Sequence, residues 1–137
     1  MSEKNVIPVR IGEVRLNCKG VVLVLLRADN EIGLEDVKEH IAAGEALTKG
    51  SPFVAIMDGG LTLDVSDKAM TFGAKYENKN WLAFAIIVRS ISERLFANYY
   101  LKFKRPVRPT QVFTTPKGAE EWLKKFIEIE KPLTYEI

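Results

Sequence analysis

The chain has 137 residues, of which 47% are hydrophobic and 28% are charged, and its net charge is only +2. These values indicate one globular domain over residues 1–137, and they argue against a dedicated nucleic-acid-binding protein. The elements predicted below place the core of this domain at about 9–129, with flexible ends. A single cysteine, Cys18, excludes an internal disulfide. Because no apolar run is long enough for a transmembrane segment and no secretory leader follows Met1, we expect a cytoplasmic protein.

The first third of the chain predicts a hairpin followed by a helix. Val9–Leu16 nearly alternates apolar and polar residues, and a bulge at Gly12 would reset the face. The apolar run Val21–Leu26 predicts a deeper antiparallel partner strand. A first helix is predicted from four apolar residues at helical spacing: Leu34, Val37, Ile41 and Leu47. Its charged residues and His40 are expected to face water.

Three more strands are predicted from short apolar runs, Phe53–Met57, Leu82–Val88 and 111–113. The first two are apolar throughout, which is typical of parallel strands buried on both faces. Strands that alternate with helices imply a mostly parallel sheet with helices on its faces. The element order β-β-α-β-α-β-α-β-α therefore predicts an α/β fold with a mixed sheet, an N-terminal antiparallel hairpin and about four helices.

The later helices have recognisable start signals. Asp64 or Ser66 would cap the second helix. Ser90 through Glu93 matches a capping box for a third helix that runs to about Phe103. Thr115 followed by Pro116 predicts the start of the last helix, which has an apolar stripe: Ala119, Trp122, Leu123, Phe126 and Ile127.

This element order resembles the STAS fold of the SpoIIAA-like anti-sigma-factor antagonists, over about residues 9–129. In that family an aspartate ends the third strand, and the second helix begins at a Ser or Thr that a partner kinase phosphorylates. Asp58 matches this aspartate, and Asp64 to Ser66 matches the opening of the helix, without the glycine that usually follows. The end of the chain also resembles a group of uncharacterised bacterial STAS-like proteins. The resemblance implies that Ser66 is a phosphorylation switch, whereas the residue type alone favours a plain N-cap.

The predicted strand ends form a second candidate site. Ligands of open α/β sheets bind beyond the carboxyl ends of the parallel strands. Asp58 lies at one such end, and Arg89 and Ser90 lie at the next, where a helix start could hold an anion. A solvated arginine beside a capped helix explains the same residues.

The third predicted helix has more apolar surface than one buried face requires. Its apolar residues spread over about 180° of the helix: Ile91, Leu95, Phe96, Tyr99, Tyr100 and Phe103. Phe96 and Tyr100, near the edge, predict contact with a protein partner, a second subunit or an apolar ligand, and deep burial is the alternative. Acids predominate from Asp29 to Glu45, whereas bases predominate from Arg94 to Lys117. This asymmetry could steer a partner or pair two copies, or it could be a solvated surface.

These observations favour a non-enzymatic regulatory or protein-interaction module that binds a protein partner or itself as a homodimer. Neither Cys18 nor His40 has a catalytic neighbour in the sequence, and we expect no metal site and no cofactor. The alternative is a small-molecule or lipid carrier, which an internal apolar cavity would favour. A small enzyme is a third reading, and it would need Asp58, Arg89 and Ser90 to converge in a deep pocket.

Overall fold

The structure is a computed structural model and describes residues 5–27, 31–59, 65–129 and 133. Within these residues, six strands form one sheet: β1 (Val6–Val9), β2 (Gly12–Cys18), β3 (Val21–Leu26), β4 (Phe53–Asp58), β5 (Trp81–Ile87) and β6 (Thr110–Phe113). Four α-helices pack on it: α1 (Leu34–Thr48), α2 (Asp67–Lys75), α3 (Ile91–Tyr99) and α4 (Pro116–Leu123). A π-helical turn, Tyr100–Lys104, extends α3.

The six strands lie in chain order across the sheet. The pairs β1–β2 and β2–β3 are antiparallel, and the pairs from β3 to β6 are parallel. The predicted α/β fold, with its mixed, mostly parallel sheet, N-terminal antiparallel hairpin and four helices, is confirmed. Because each parallel crossover advances by one strand in the same direction and has the same hand, α1, α2 and α3 lie on one face of the sheet.

The sheet therefore separates two apolar cores. Successive residues of a strand point to opposite faces, so Val22 and Val24 of β3 contact the core beneath α1, α2 and α3. Val21 and Leu23 point the other way and pack with α4. We call these two sides the three-helix face and the α4 face.

The segment predicted as one bulged strand from Val9 to Leu16 is instead a tight hairpin. β1 ends at Val9, and β2 begins opposite it at Gly12. A Cβ atom at Gly12 would lie 2.0 Å from the carbonyl oxygen of Leu25, so this close approach of the backbones requires glycine. One bulged strand and two short strands both give alternating apolar and polar residues. The sequence pattern therefore could not distinguish the predicted strand from the observed hairpin.

The predicted helix starts are correct. The side chains of Ser66, Ser90 and Thr115 each accept a hydrogen bond from the backbone N–H three residues later, at 3.1, 3.1 and 3.0 Å. Of the two residues offered as the cap of α2, Ser66 is the one that caps it. The last helix is shorter than predicted, since α4 ends at Leu123 and the apolar residues after it pack on the α4 face from turns.

Candidate functional site

An apolar cavity of about 120 Å³ lies between the three-helix face and the helices α1, α2 and α3. Side chains of β3, β4 and β5 that point to this face, including Ala55 and Ile86, line one side of it. Small residues of the three helices, Gly44, Ala69 and Ala97, line the other side and leave the space unfilled. Protein interiors contain few voids larger than a water molecule. An engineered apolar cavity of about 150 Å³ stays dry and binds benzene, so this cavity has the size for a small apolar molecule.

Three side chains with hydrogen-bonding groups also line the cavity: His40, Trp81 and Tyr100. The Nε1–H of Trp81 donates to the carbonyl oxygen of Ala83 at 3.1 Å. Burial raises the pKa of Tyr100 to about 12, so its hydroxyl stays protonated at neutral pH. That hydroxyl lies close to α2, because a Cβ atom built on Gly73 would be 3.9 Å from it.

His40 is the most unusual of these side chains. It is only 8% exposed, and its Nε2 atom has no hydrogen-bond partner among the described residues. Burial lowers the pKa of His40 below its ordinary value, while the nearby carboxylates of Asp36 and Glu39 oppose this shift. The imidazole is therefore neutral at neutral pH.

The expectation that His40 faces water is wrong. The same holds for Asp36, which is buried because Arg10 donates to both of its carboxylate oxygens, at 2.6 and 2.8 Å. This ion pair lowers the pKa of Asp36. The sequence did contain a signal that His40 is buried. His40 follows Val37 by three positions and precedes Leu47 by seven, which places it on the same helix face as these apolar residues.

The strand-end residues come together in an ion pair. Asp58 is fully buried at the end of β4, and Arg89, just after β5, donates to it from Nε at 3.1 Å and from Nη2 at 2.7 Å. Ser90 is at the same sheet edge but caps α3, where Glu93 also accepts a hydrogen bond from the backbone N–H of Arg89 at 2.8 Å. The charges of Asp58 and Arg89 thus satisfy each other, and a ligand role for these residues stays a prediction.

The predicted switch segment is described in part. Asp64 lies outside the described residues. Ser66 is half-buried, and its backbone N–H donates to the carbonyl oxygen of Ile32 at 3.0 Å. The next residue, Asp67, forms an ion pair with Lys104 from the π-helical turn. A phosphate on Ser66 would place a dianion beside this ion pair. Phosphorylation of Ser66 stays a prediction.

The apolar surface of α3 divides into two faces. Phe96 and Tyr100 point inward and line the cavity. A neighbouring, exposed face presents four large residues at intervals of four, which we call the α3 stripe: Ile91, Leu95, Tyr99 and Phe103. Ile91 is 79% exposed and Phe103 is 60% exposed. Soluble monomers seldom expose a continuous apolar stripe of large side chains unless it binds something.

The basic region near α3 is smaller at the surface than the sequence suggested. Arg108 is buried, with its guanidinium 3.6 Å from the centre of the Trp81 ring, and it donates to the carbonyl oxygens of Gly73, at 3.3 Å, and Tyr76. Burial lowers the pKa of Arg108. Other bases, such as Arg94, stay exposed on the helix that bears the α3 stripe.

Among the described residues, no group of three or more His, Cys, Asp or Glu side chains could hold a metal ion. No helix in that part of the chain is long and apolar enough to cross a membrane. Residues 15–127 match a family model described as Domain of unknown function (DUF7793). A search of curated proteins finds no match, and a search of solved structures finds none either. Since the family model matches most of its length, the chain belongs to the DUF7793 family.

Proposed function

We propose that this DUF7793 domain is a non-enzymatic binding module whose apolar cavity takes a small apolar molecule. The observation that supports this role is the cavity of about 120 Å³ between the sheet and three helices. Apolar side chains form nearly all of its lining, and the aromatic residues among them, Phe53, Phe84 and Phe96, suit a planar ligand. Arg89 pairs with Asp58, and this supports a non-enzymatic role because no obvious acid–base pair is left among the strand-end residues that the structure describes.

Toluene is a suitable first probe because it is apolar and close in size to the cavity. A ligand that binds only the folded state raises the melting temperature as its concentration increases. We expect toluene to raise the Tm of the wild type. It should not do so in Ala97→Leu, where three added carbon atoms occupy the cavity from α3. If toluene leaves the wild-type Tm unchanged and native mass spectrometry of protein from its own host shows only the bare chain, the proposal is wrong.

The α3 stripe supports a second role, the binding of a protein partner, as expected for a regulatory module. Arg94 and Lys102 are exposed on this helix, whereas its one acid, Glu93, is buried. Two copies that packed antiparallel through the stripe would bring these bases close together, which costs energy. The charges therefore favour an acidic amphipathic helix of another protein over a homodimer.

A model peptide tests this second role. A helical peptide with leucine on one face and glutamate on the other should bind the wild type, more weakly at high salt, and should not bind Leu95→Glu. The same peptide with lysine in place of glutamate is the control, and equal binding of both peptides would contradict the charge argument. Sedimentation of the protein alone reports whether a second copy occupies the stripe instead.

A further inference from the structure

His40 gives the cavity a chemical preference, and this inference rests on the proposed function. Its imidazole belongs to the cavity lining, on α1, and its Nε2 has no partner among the described residues. Leaving a polar atom buried without a hydrogen bond costs about 1–3 kcal/mol in typical proteins, and an apolar side chain at this position would avoid that cost. The described part of the chain thus gives no reason for a histidine here.

The charges near His40 restrict what could pair with it. Asp36 and Glu39 are the nearby acids, both on α1, and Arg10 is the nearby base. Arg10 already donates to Asp36 through two hydrogen bonds. An anionic ligand group at Nε2 is therefore disfavoured, because the imidazole is neutral and the carboxylates of Asp36 and Glu39 are nearby. A cationic group would lose its hydration in an apolar cavity.

A neutral hydroxyl group fits these conditions. A neutral imidazole nitrogen either donates or accepts a hydrogen bond, depending on its tautomer, and a hydroxyl can do both. A bound water is a poorer occupant, because a buried water typically needs two to four polar partners and, apart from the side chains of Trp81 and Tyr100, the rest of this lining is apolar.

We propose that the ligand is a neutral, mainly apolar molecule with one hydroxyl group, a small phenol or alcohol, and that His40 hydrogen-bonds this hydroxyl through Nε2. Apolar contacts with the sheet and with α3 hold the remainder of the molecule. His40 is a positioning and specificity residue in this arrangement, and the cavity itself supplies most of the affinity.

Toluene and p-cresol test this inference, because they differ only by a hydroxyl group. The dissociation constants of both are measured by calorimetry for the wild type, His40→Leu and His40→Gln. We expect the preference for p-cresol over toluene to fall by about five- to tenfold in His40→Leu. His40→Gln should restore part of the preference, because its amide can also hydrogen-bond. Thermal melts confirm that each variant is folded.

The possible failures are distinguishable. If toluene binds all three proteins but the preference for p-cresol is the same in each, His40 does not read the hydroxyl and only this inference is overturned. If p-toluate, the matched anion, binds the wild type more tightly than p-cresol, the choice of a neutral ligand is overturned. If neither toluene nor p-cresol binds the wild type, and native mass spectrometry of protein from its own host shows only the bare chain, the proposed function fails and this inference fails with it.

Discussion

The cavity makes a prediction about two alanines on neighbouring strands. Ala55 of β4 points to the three-helix face and lines the cavity, whereas Ala85 of β5 points to the α4 face and is fully buried there. The same substitution, alanine to valine, adds two carbon atoms at each position. Ala55→Val would fill empty space, but Ala85→Val would push against a packed core.

The two substitutions are expected to change the free energy of unfolding in opposite directions. Each buried carbon contributes about 0.8 kcal/mol, so Ala55→Val gains up to about 1.6 kcal/mol before side-chain entropy reduces the gain. A net increase of about 1 kcal/mol raises the Tm by about 3–5 °C in a domain of this size. Overpacking at Ala85 should instead cost about 1–3 kcal/mol.

Urea and thermal denaturation followed by circular dichroism measure both variants against the wild type. Toluene binding is measured on the same samples, and Ala55→Val should weaken it because the cavity is smaller. A variant that is more stable but binds less would show that the empty volume serves binding rather than stability. If both valines destabilise the domain equally, the space beside Ala55 is not open in solution and the reasoning from the cavity is wrong.

Three further predictions concern other parts of the fold. Because burial lowers the pKa of His40, the unfolded chain takes up a proton before the folded chain does as the pH falls below 6.5. Stability should then decline with falling pH by up to about 1.4 kcal/mol per pH unit, and this part of the decline should be missing from His40→Leu in denaturation series at several pH values. Gly44→Ala should raise the free energy of unfolding by about 1 kcal/mol, since alanine favours a helix interior and its Cβ would meet its nearest neighbour at an ordinary 3.6 Å. Arg89→Met should lower the free energy of unfolding by about 2–3 kcal/mol because Asp58 is fully buried, while Lys124→Met, at an exposed ion pair, should change it by less than about 1 kcal/mol in the same urea titrations.

Local patterns in the sequence were sufficient for most of the fold. The apolar runs at β3, β4 and β5 are long enough to identify strands buried on both faces, and they imply a parallel sheet. The caps at Ser90 and Thr115 are also local, because each involves a backbone N–H only three residues away. Such signals can be read from a short window of sequence, and here they gave the correct element order from β2 onward.

The candidate site depended on the tertiary structure instead. Asp58 and Arg89 are 31 positions apart, and only the pairing of β4 with β5 brings them into contact. The wide apolar surface of α3 was visible in the sequence, but its division into an inner face and an exposed stripe depends on how the helix packs on the sheet. His40 was misjudged because its charged neighbours in sequence suggested water, whereas packing of α1 on the sheet buries it. A cavity has no signal in any one segment, because it is the volume that three helices and three strands leave unfilled when they pack together.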